Sequence, residues 1–179
     1  MTTRFLIAAI LLISTACNKK DDTKKADESA NSFLPLQIGN YWKVDSQNYT
    51  EIQDTVRIKG ILYYKLFSLT GGDVASEEYY RIDENQNLIL GSVRYPDHQY
   101  LKAKFNASVG ETFQTLGDKS YNDYKVTVIE KTDNKITFSY DMIYHPNLKG
   151  HPHTISFVKG LGWANSWKAV RINGKILRY

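Results

Sequence analysis

Three histidines between residues 145 and 153 are the residues whose types and spacing best fit a metal site. His151 and His153 are two positions apart, so in an extended chain both imidazoles point to one face, with Cα atoms about 6.5–7 Å apart. His145 can fold over them, and neutral imidazole is a preferred zinc ligand. The pattern gives a candidate zinc site for a metal-dependent hydrolase. The alternative is a solvent-exposed connection between strands, which Pro146 and Pro152 favour.

The rest of the sequence lacks the usual catalytic motifs. It has no G-x-S-x-G, no phosphate-binding P-loop and no H-E-x-x-H. Gly160 and Gly162 lack a third glycine and a following helix, so a dinucleotide site is unsupported. Glu77 and Glu78 are adjacent and face opposite sides of a strand, so they cannot act as a catalytic pair and are expected to be solvated charges. The sequence therefore favours a protein that is not an enzyme.

The aromatic residues are the remaining candidates for function, although most are expected in the core. The core candidates are Tyr41, Trp42, Tyr63, Tyr80, Phe138, Tyr140, Phe157, Trp163 and Trp167. Four of these rings are also candidate ligand-binding residues, because a curved sheet can hold a hydrophobic or sugar ligand on its concave face. They are Tyr41, Trp42, Trp163 and Trp167. Trp163 follows a glycine turn and is the best candidate for partial exposure; a pocket of at least ~300 Å³ walled by these rings is expected.

These candidates must be positioned by strands. The chain has thirteen Tyr, seven Phe and three Trp, and no stretch after Cys17 keeps a helical period. About ten short runs separated by turn signals predict an all-β domain, a single antiparallel meander that curls into a barrel, half-barrel or sandwich. The run from Ile61 to Leu69 is apolar on both faces and is expected in a central position. Asn173-Gly174 is expected to turn a hairpin.

The first seventeen residues have the pattern of a processing signal. Arg4 gives a positive start, residues 5–13 read FLIAAILLI, and small residues precede Cys17. As a helix the apolar run spans only about 14 Å, short of the ~30 Å hydrocarbon core of a membrane. Residues 1–16 are therefore predicted to be a signal peptide.

Residues 14–17 read STAC, which resembles the lipobox of bacterial lipoproteins, although many of those have Leu where this chain has Ser14. The resemblance implies diacylglycerol on the Cys17 thiol, cleavage before Cys17, and acylation of the new amino group by a fatty acid such as palmitate. Cys17 is the only cysteine, so the exported domain has no internal disulfide and depends on its core. The alternative is an ordinary secretory signal with an incidental cysteine.

Residues 17–32 are predicted to be the lipidated cysteine and a flexible tether. Residues 18–32 read NKKDDTKKADESANS and have no aromatic or large aliphatic side chain with which to order themselves. Such a chain typically spans about 20 Å. The KDD segment at residues 20–22 resembles the surface-export signal of Bacteroidota-type lipoproteins. The cell surface and the periplasmic face of the outer membrane are both open as locations.

Residues 33–179 are predicted to form one β-rich globular domain. Its LPLQIGNYW opening and the FVKGLGW segment at residues 157–163 resemble a pattern in exported lipoproteins of Bacteroidota type, and this resemblance carries no activity. The formal charge of +4 falls to about +3 when Arg4 is removed with the signal peptide. Lysines and arginines are scattered without a basic stripe, so nucleic acid is a poor partner.

Three functions are compatible with the sequence. The first is an outer-membrane or cell-surface lipoprotein whose non-catalytic β-domain binds a partner or takes part in envelope assembly. The second is a carrier that holds a hydrophobic or glycan ligand in a barrel interior. The third is the metal-dependent hydrolase at His145, His151 and His153. Apart from covalent lipid on Cys17 and zinc in the third alternative, no cofactor is expected.

Overall fold

The computed structural model describes residues 31–179. Residues 1–30, which include the predicted signal peptide, Cys17 and most of the tether, lie outside the described residues. The described residues form strands joined by turns and contain no helix, which confirms the all-β prediction. It follows that residues 31–179 include no helix that is long and apolar enough to cross a membrane.

Thirteen strands build two antiparallel sheets in the described part of the chain. The strands are β1 (Tyr41–Lys43), β2 (Tyr49–Ile58), β3 (Ile61–Thr70), β4 (Val74–Ile82), β5 (Asn87–Gly91), β6 (Gln99–Lys104), β7 (Thr112–Gln114), β8 (Lys125–Lys131), β9 (Lys135–Asp141), β10 (His153–Val158), β11 (Gly162–Trp163), β12 (Ala169–Ile172) and β13 (Lys175–Arg178). The first sheet has the order β13-β12-β1-β2-β3-β4-β5-β6, and the second has the order β11-β10-β9-β8-β7. The sheets do not close into a barrel. Of the three predicted architectures, the structure is therefore sandwich-like.

The order of the first sheet departs from a simple meander. β12 and β13 come last in the chain, yet β12 pairs with β1, with Tyr41 opposite Arg171. The strands also number thirteen instead of about ten, in part because β1, β7 and β11 have only two or three residues each. Strands this short show no alternation in the sequence. The C-terminal hairpin thus lies beside the first strand of the domain.

Two reversals in the first sheet are two-residue hairpins, and the second of them, at Asn173-Gly174, confirms the prediction. Lys59 and Gly60 join β2 to β3 with φ of 50° and 81°. Asn173 and Gly174 join β12 to β13 with φ of 50° and 76°. Positive φ at both turn residues is the pattern of a type I′ turn, which matches the right-handed twist of the flanking strands. The sequence also predicts a central position for β3. In the structure β3 lies between β2 and β4 inside the eight-stranded sheet.

The core lies between the two sheets and is built largely from aromatic rings. Trp42 from the first sheet and Phe138 from the second are fully buried, and Phe157 is nearly so. Phe138 and Phe157 meet edge to face with ring centroids 6.1 Å apart, a favourable aromatic geometry. Phe105, just after β6, lies with its ring centroid 5.1 Å from that of Phe157. These rings fill the centre of the sandwich, as the sequence predicts for most of its aromatic residues.

Candidate ligand-binding site

The two segments that carry the sequence resemblance lie against each other in the fold. Trp42 of β1 is fully buried, and its Nε1 donates a hydrogen bond to the Leu161 carbonyl oxygen over 2.7 Å. The rings of Trp42 and Trp163 meet edge to face with centroids 5.0 Å apart. Gly162 adopts φ of +94°, and a Cβ at this position would lie 2.8 Å from Trp42 Cζ2. Gly162 therefore lets the backbone lie directly on the Trp42 ring, which fixes Trp163 at the edge of the core.

A cleft of about 450 Å³ opens between the two sheets beside Trp163. Its volume exceeds the ~300 Å³ expected for a small-molecule site. The first sheet contributes Thr50, Leu66, Ser68, Glu78 and Tyr80. The second sheet and the loop after it contribute residues 154–156, Trp163, Ala164, Asn165 and Trp167. The cleft therefore combines aromatic rings, hydroxyl groups and one carboxylate.

Strand register brings the first-sheet residues of the cleft to one face. Ser68 lies opposite Thr50, and their hydroxyl groups are hydrogen-bonded over 2.8 Å. Leu66 lies opposite Glu78 on β4, and Tyr80 follows two residues later on the same face. Alternation along three neighbouring strands thus gathers two hydroxyls, a carboxylate and a phenol on the face that lines the cleft.

Three aromatic rings border the cleft. The rings of Tyr80 and Trp163 are nearly perpendicular, with centroids 6.2 Å apart. The Trp167 Nε1 donates a hydrogen bond to the Trp163 carbonyl oxygen over 2.8 Å, which ties the loop after β11 to that strand. Trp163 and Trp167 are both half-buried. Each tryptophan therefore leaves part of its ring open to a ligand, and Trp163 is partly exposed as the sequence predicts.

Among residues 31–179, Glu78 is the one charged side chain that lines the cleft. The Tyr80 hydroxyl donates a hydrogen bond to Glu78 Oε2 over 3.2 Å. Burial of the ring, together with the nearby carboxylate of Glu78, raises the pKa of the Tyr80 phenol well above its usual value. The Tyr80 hydroxyl therefore keeps its proton at neutral pH and acts as a donor toward the carboxylate.

The buried phenols predict a loss of stability at alkaline pH. Burial raises the pKa of Tyr140 as well as that of Tyr80. A buried phenol whose folded-state pKa lies above the unfolded value of about 10 stabilises the folded protein. This contribution to the free energy of unfolding is fully present below pH ~10 and is lost as the pH rises through the folded-state pKa. We expect the free energy of unfolding, measured by urea titration between pH 8 and 11.5, to fall less steeply above pH ~10 in Tyr80→Phe than in the wild type.

The matched control for this titration is Tyr121→Phe. Tyr121 is 64% exposed, so its removal should leave the alkaline slope of the unfolding free energy unchanged. Equal changes in the alkaline slope of the unfolding free energy for Tyr80→Phe and Tyr121→Phe would contradict a burial effect on the Tyr80 phenol.

Two of the four predicted ligand-binding rings do not line the cleft. Tyr41 precedes the buried Trp42 on β1, so its ring lies on the outer face of the first sheet. There the Arg171 guanidinium carbon is 4.7 Å from the Tyr41 ring centroid, and Arg171 also forms an ion pair with Glu51 over 3.1 Å. Trp42 packs behind Trp163 in the core. The structure thus brings Trp163 and Trp167 together at the cleft, buries Trp42 behind them, and places Tyr41 at a separate cavity of about 340 Å³ on the outer face.

Two of the three histidines of the zinc hypothesis lie against aromatic rings, and the third is exposed. His145 lies 5.8 Å from Tyr121 between ring centroids. His153 stacks on Tyr140 with centroids 5.3 Å apart, and His151 is exposed. Within residues 31–179, no three His, Cys, Asp or Glu side chains are grouped so that they could hold a metal ion. The described geometry therefore gives the zinc hypothesis no support.

Glu78 is the cleft residue that sequence reasoning placed elsewhere, among the solvated charges. The alternation of side chains along β4 could have predicted its position, because Glu78 is two residues from the buried Tyr80 and lies on the same face of the strand. Its neighbour Glu77 faces the other way and forms an ion pair with Lys65 over 3.0 Å. The adjacent glutamates are indeed unable to act as a pair, yet one of them lies in the cleft.

Comparison with protein-family models, curated proteins and solved structures gives no significant match for this chain. The function must therefore be inferred from the cleft itself. Its half-buried rings can pack on the apolar face of a ligand, while its hydroxyls and carboxylate can orient polar groups. Such an arrangement is suited to holding a small amphipathic molecule.

Proposed function

We propose that this protein is a lipid-anchored binding protein of the outer membrane, and that its inter-sheet cleft holds the ligand. The observation that carries the binding half of the proposal is the cleft of about 450 Å³ bordered by Tyr80, Trp163 and Trp167. Concave sites with apolar walls and a few convergent polar groups are the usual form of small-molecule sites. The inter-sheet cleft has both features.

Binding is favoured over catalysis by the chemistry of the lining. General acid–base chemistry needs a group that gains or loses a proton near the working pH, commonly beside a second group with the opposite role. In the cleft, Glu78 is hydrogen-bonded to the Tyr80 hydroxyl, and the raised pKa of Tyr80 keeps that hydroxyl protonated. The two groups therefore form a polar contact that can orient a ligand.

The second candidate function is that of a carrier of a glycan or hydrophobic ligand, held in the cleft and not in a barrel interior. The sequence places such a ligand in a barrel interior, but the sheets do not close and aromatic rings such as Phe138 and Phe157 fill the centre. A carried molecule would therefore occupy the cleft at the side of the sandwich. The exposed ring surface of Trp163 and Trp167 and the hydroxyls of Thr50 and Ser68 favour this version.

The anchoring half of the proposal comes from the N-terminal sequence. The STAC segment ending at Cys17 supports acylation of that cysteine, and residues 18–32 support a solvated tether about 20 Å long. A domain on such a tether can meet small molecules or envelope proteins near the membrane surface. Zinc has no part in this proposal, and the covalent lipid on Cys17 is its only attached group.

Site-specific photo-crosslinking in intact envelopes tests the binding half. A photoreactive phenylalanine analogue at Asn165, in the exposed loop that lines the cleft, should yield a product with an added mass after illumination. The matched control is the same analogue at Ile129, which is 48% exposed on β8 and outside the lining. Equal products from both positions, or none from Asn165, would argue against the cleft as the binding site.

A further inference from the structure

We propose that the cleft selects a ligand that carries an ammonium group, with Glu78 as the residue that determines this specificity. This inference rests on the proposed binding function and adds the chemical class of the ligand. It follows from the charges, partners and rings that the strands place in the cleft.

The first observation is the sign of the charge in the cleft. The chain as a whole has 23 Lys and Arg against 19 Asp and Glu, whereas the described residues that line the cleft include Glu78 and no Lys, Arg or His. The cleft is thus a negative site on a basic protein. A carboxylate between low-dielectric walls attracts a cation more strongly than the same group on an open surface.

The second observation is that Glu78 forms no ion pair with a Lys or Arg of residues 31–179. Of the six glutamates in the described part of the chain, four are in ion pairs. They are Glu51, Glu77, Glu111 and Glu130. Within residues 31–179, the only hydrogen bond to the Glu78 carboxylate comes from the Tyr80 hydroxyl to Oε2. The Glu78 carboxylate therefore keeps a negative charge that no described side chain neutralises, and it can attract a cationic group of a ligand.

The third observation is the aromatic border. Aromatic faces carry partial negative charge and attract cations within about 6 Å of the ring centroid, with Trp the strongest of the rings. Trp163 and Trp167 are both half-buried beside the cleft, and Tyr80 joins the Trp163 ring to Glu78. A cationic head in the cleft would be attracted by the carboxylate and by the rings. A neutral sugar would be attracted by packing and hydrogen bonds alone.

The test measures tryptophan fluorescence of the full mature chain in detergent during titration with choline and with its neutral isostere, 3,3-dimethylbutan-1-ol. We expect choline to bind more tightly than the isostere and to weaken as NaCl is raised, because salt screens charges. Removal of the carboxylate charge should weaken choline binding about tenfold in Glu78→Gln and leave binding of the uncharged isostere unchanged. Glycerophosphocholine serves as a parallel probe, and tighter binding than choline would assign the ammonium group to a phospholipid headgroup rather than to a free amine.

Glu77→Gln is the matched control, because Glu77 is the next residue on the same strand and faces outward toward Lys65. It should bind choline as the wild type does. If choline and its isostere bind equally, and Glu78→Gln changes neither, the ammonium specificity is overturned while the cleft remains a binding site. If the crosslink at Asn165 is also absent, the binding function itself fails.

Discussion

Replacing Cys17 by serine is expected to move the protein entirely from the membrane fraction to the soluble fraction. A serine hydroxyl cannot take the thioether-linked diacylglycerol that the STAC resemblance implies for Cys17. Several buried acyl chains, at ~0.8 kcal/mol per methylene, make a durable anchor, whereas a single chain gives only marginal binding. Fractionation of cells grown with radiolabelled palmitate measures both outcomes, since the wild type should carry the label and the variant should not.

A Ser14→Leu variant is the control for the Cys17 experiment. It restores the residue that many lipoproteins have at this position, so labelling and membrane association should persist. The anchoring proposal is contradicted if the wild type stays unlabelled and washes off membranes in buffer alone. Retention of Cys17→Ser in the membrane fraction would point to attachment by another part of the protein.

Gly162→Ala is expected to destabilise the fold by about 2–5 kcal/mol. Two physical costs combine at this residue. Its φ of +94° is unfavourable for any residue with a Cβ, and that Cβ would lie 2.8 Å from the fully buried Trp42 ring. Because Trp42 is held by its hydrogen bond to the Leu161 carbonyl and packs against Trp163, the ring cannot move away freely. Urea unfolding of the folded domain measures the loss.

Gly110→Ala separates the two costs at Gly162. Gly110 has a comparable φ of +86°, but a Cβ there would meet nothing within 4 Å. Its substitution should therefore cost only the backbone strain, about 1–2 kcal/mol. If the two variants lose equal free energy of unfolding, the contact between Gly162 and Trp42 adds no strain. That result would contradict the inference that this contact fixes Trp163 beside the cleft.

Local features of the sequence were sufficient to predict the all-β class, the longer strands and the hairpin at Asn173-Gly174. The Asn173-Gly174 turn was predictable because positive φ at both positions strongly favours this pair. The central position of β3 followed from its apolar residues on both faces. These inferences depend on neighbouring residues alone, which is why they could be made without knowing which strands pair.

The pairing of distant strands and the cleft could not be read from local patterns. β1 and β12 are separated in sequence by most of the domain, and they pair in a register in which Trp42 is buried. The cleft is built from β2, β3 and β4 on one side and from β10, β11 and the following loop on the other. Trp42 and Trp163 both follow a glycine within three residues, yet only their packing decides that one is buried and the other borders the cleft.

Native mass spectrometry of the protein, extracted from its own envelopes in mild detergent, tests the central claim most directly. The account predicts a chain that begins at an acylated Cys17 and carries one small-molecule adduct, and it predicts that the adduct is depleted in Glu78→Gln and retained in Glu77→Gln. An unmodified chain with no adduct, or an adduct equally abundant in both variants and the wild type, would contradict it.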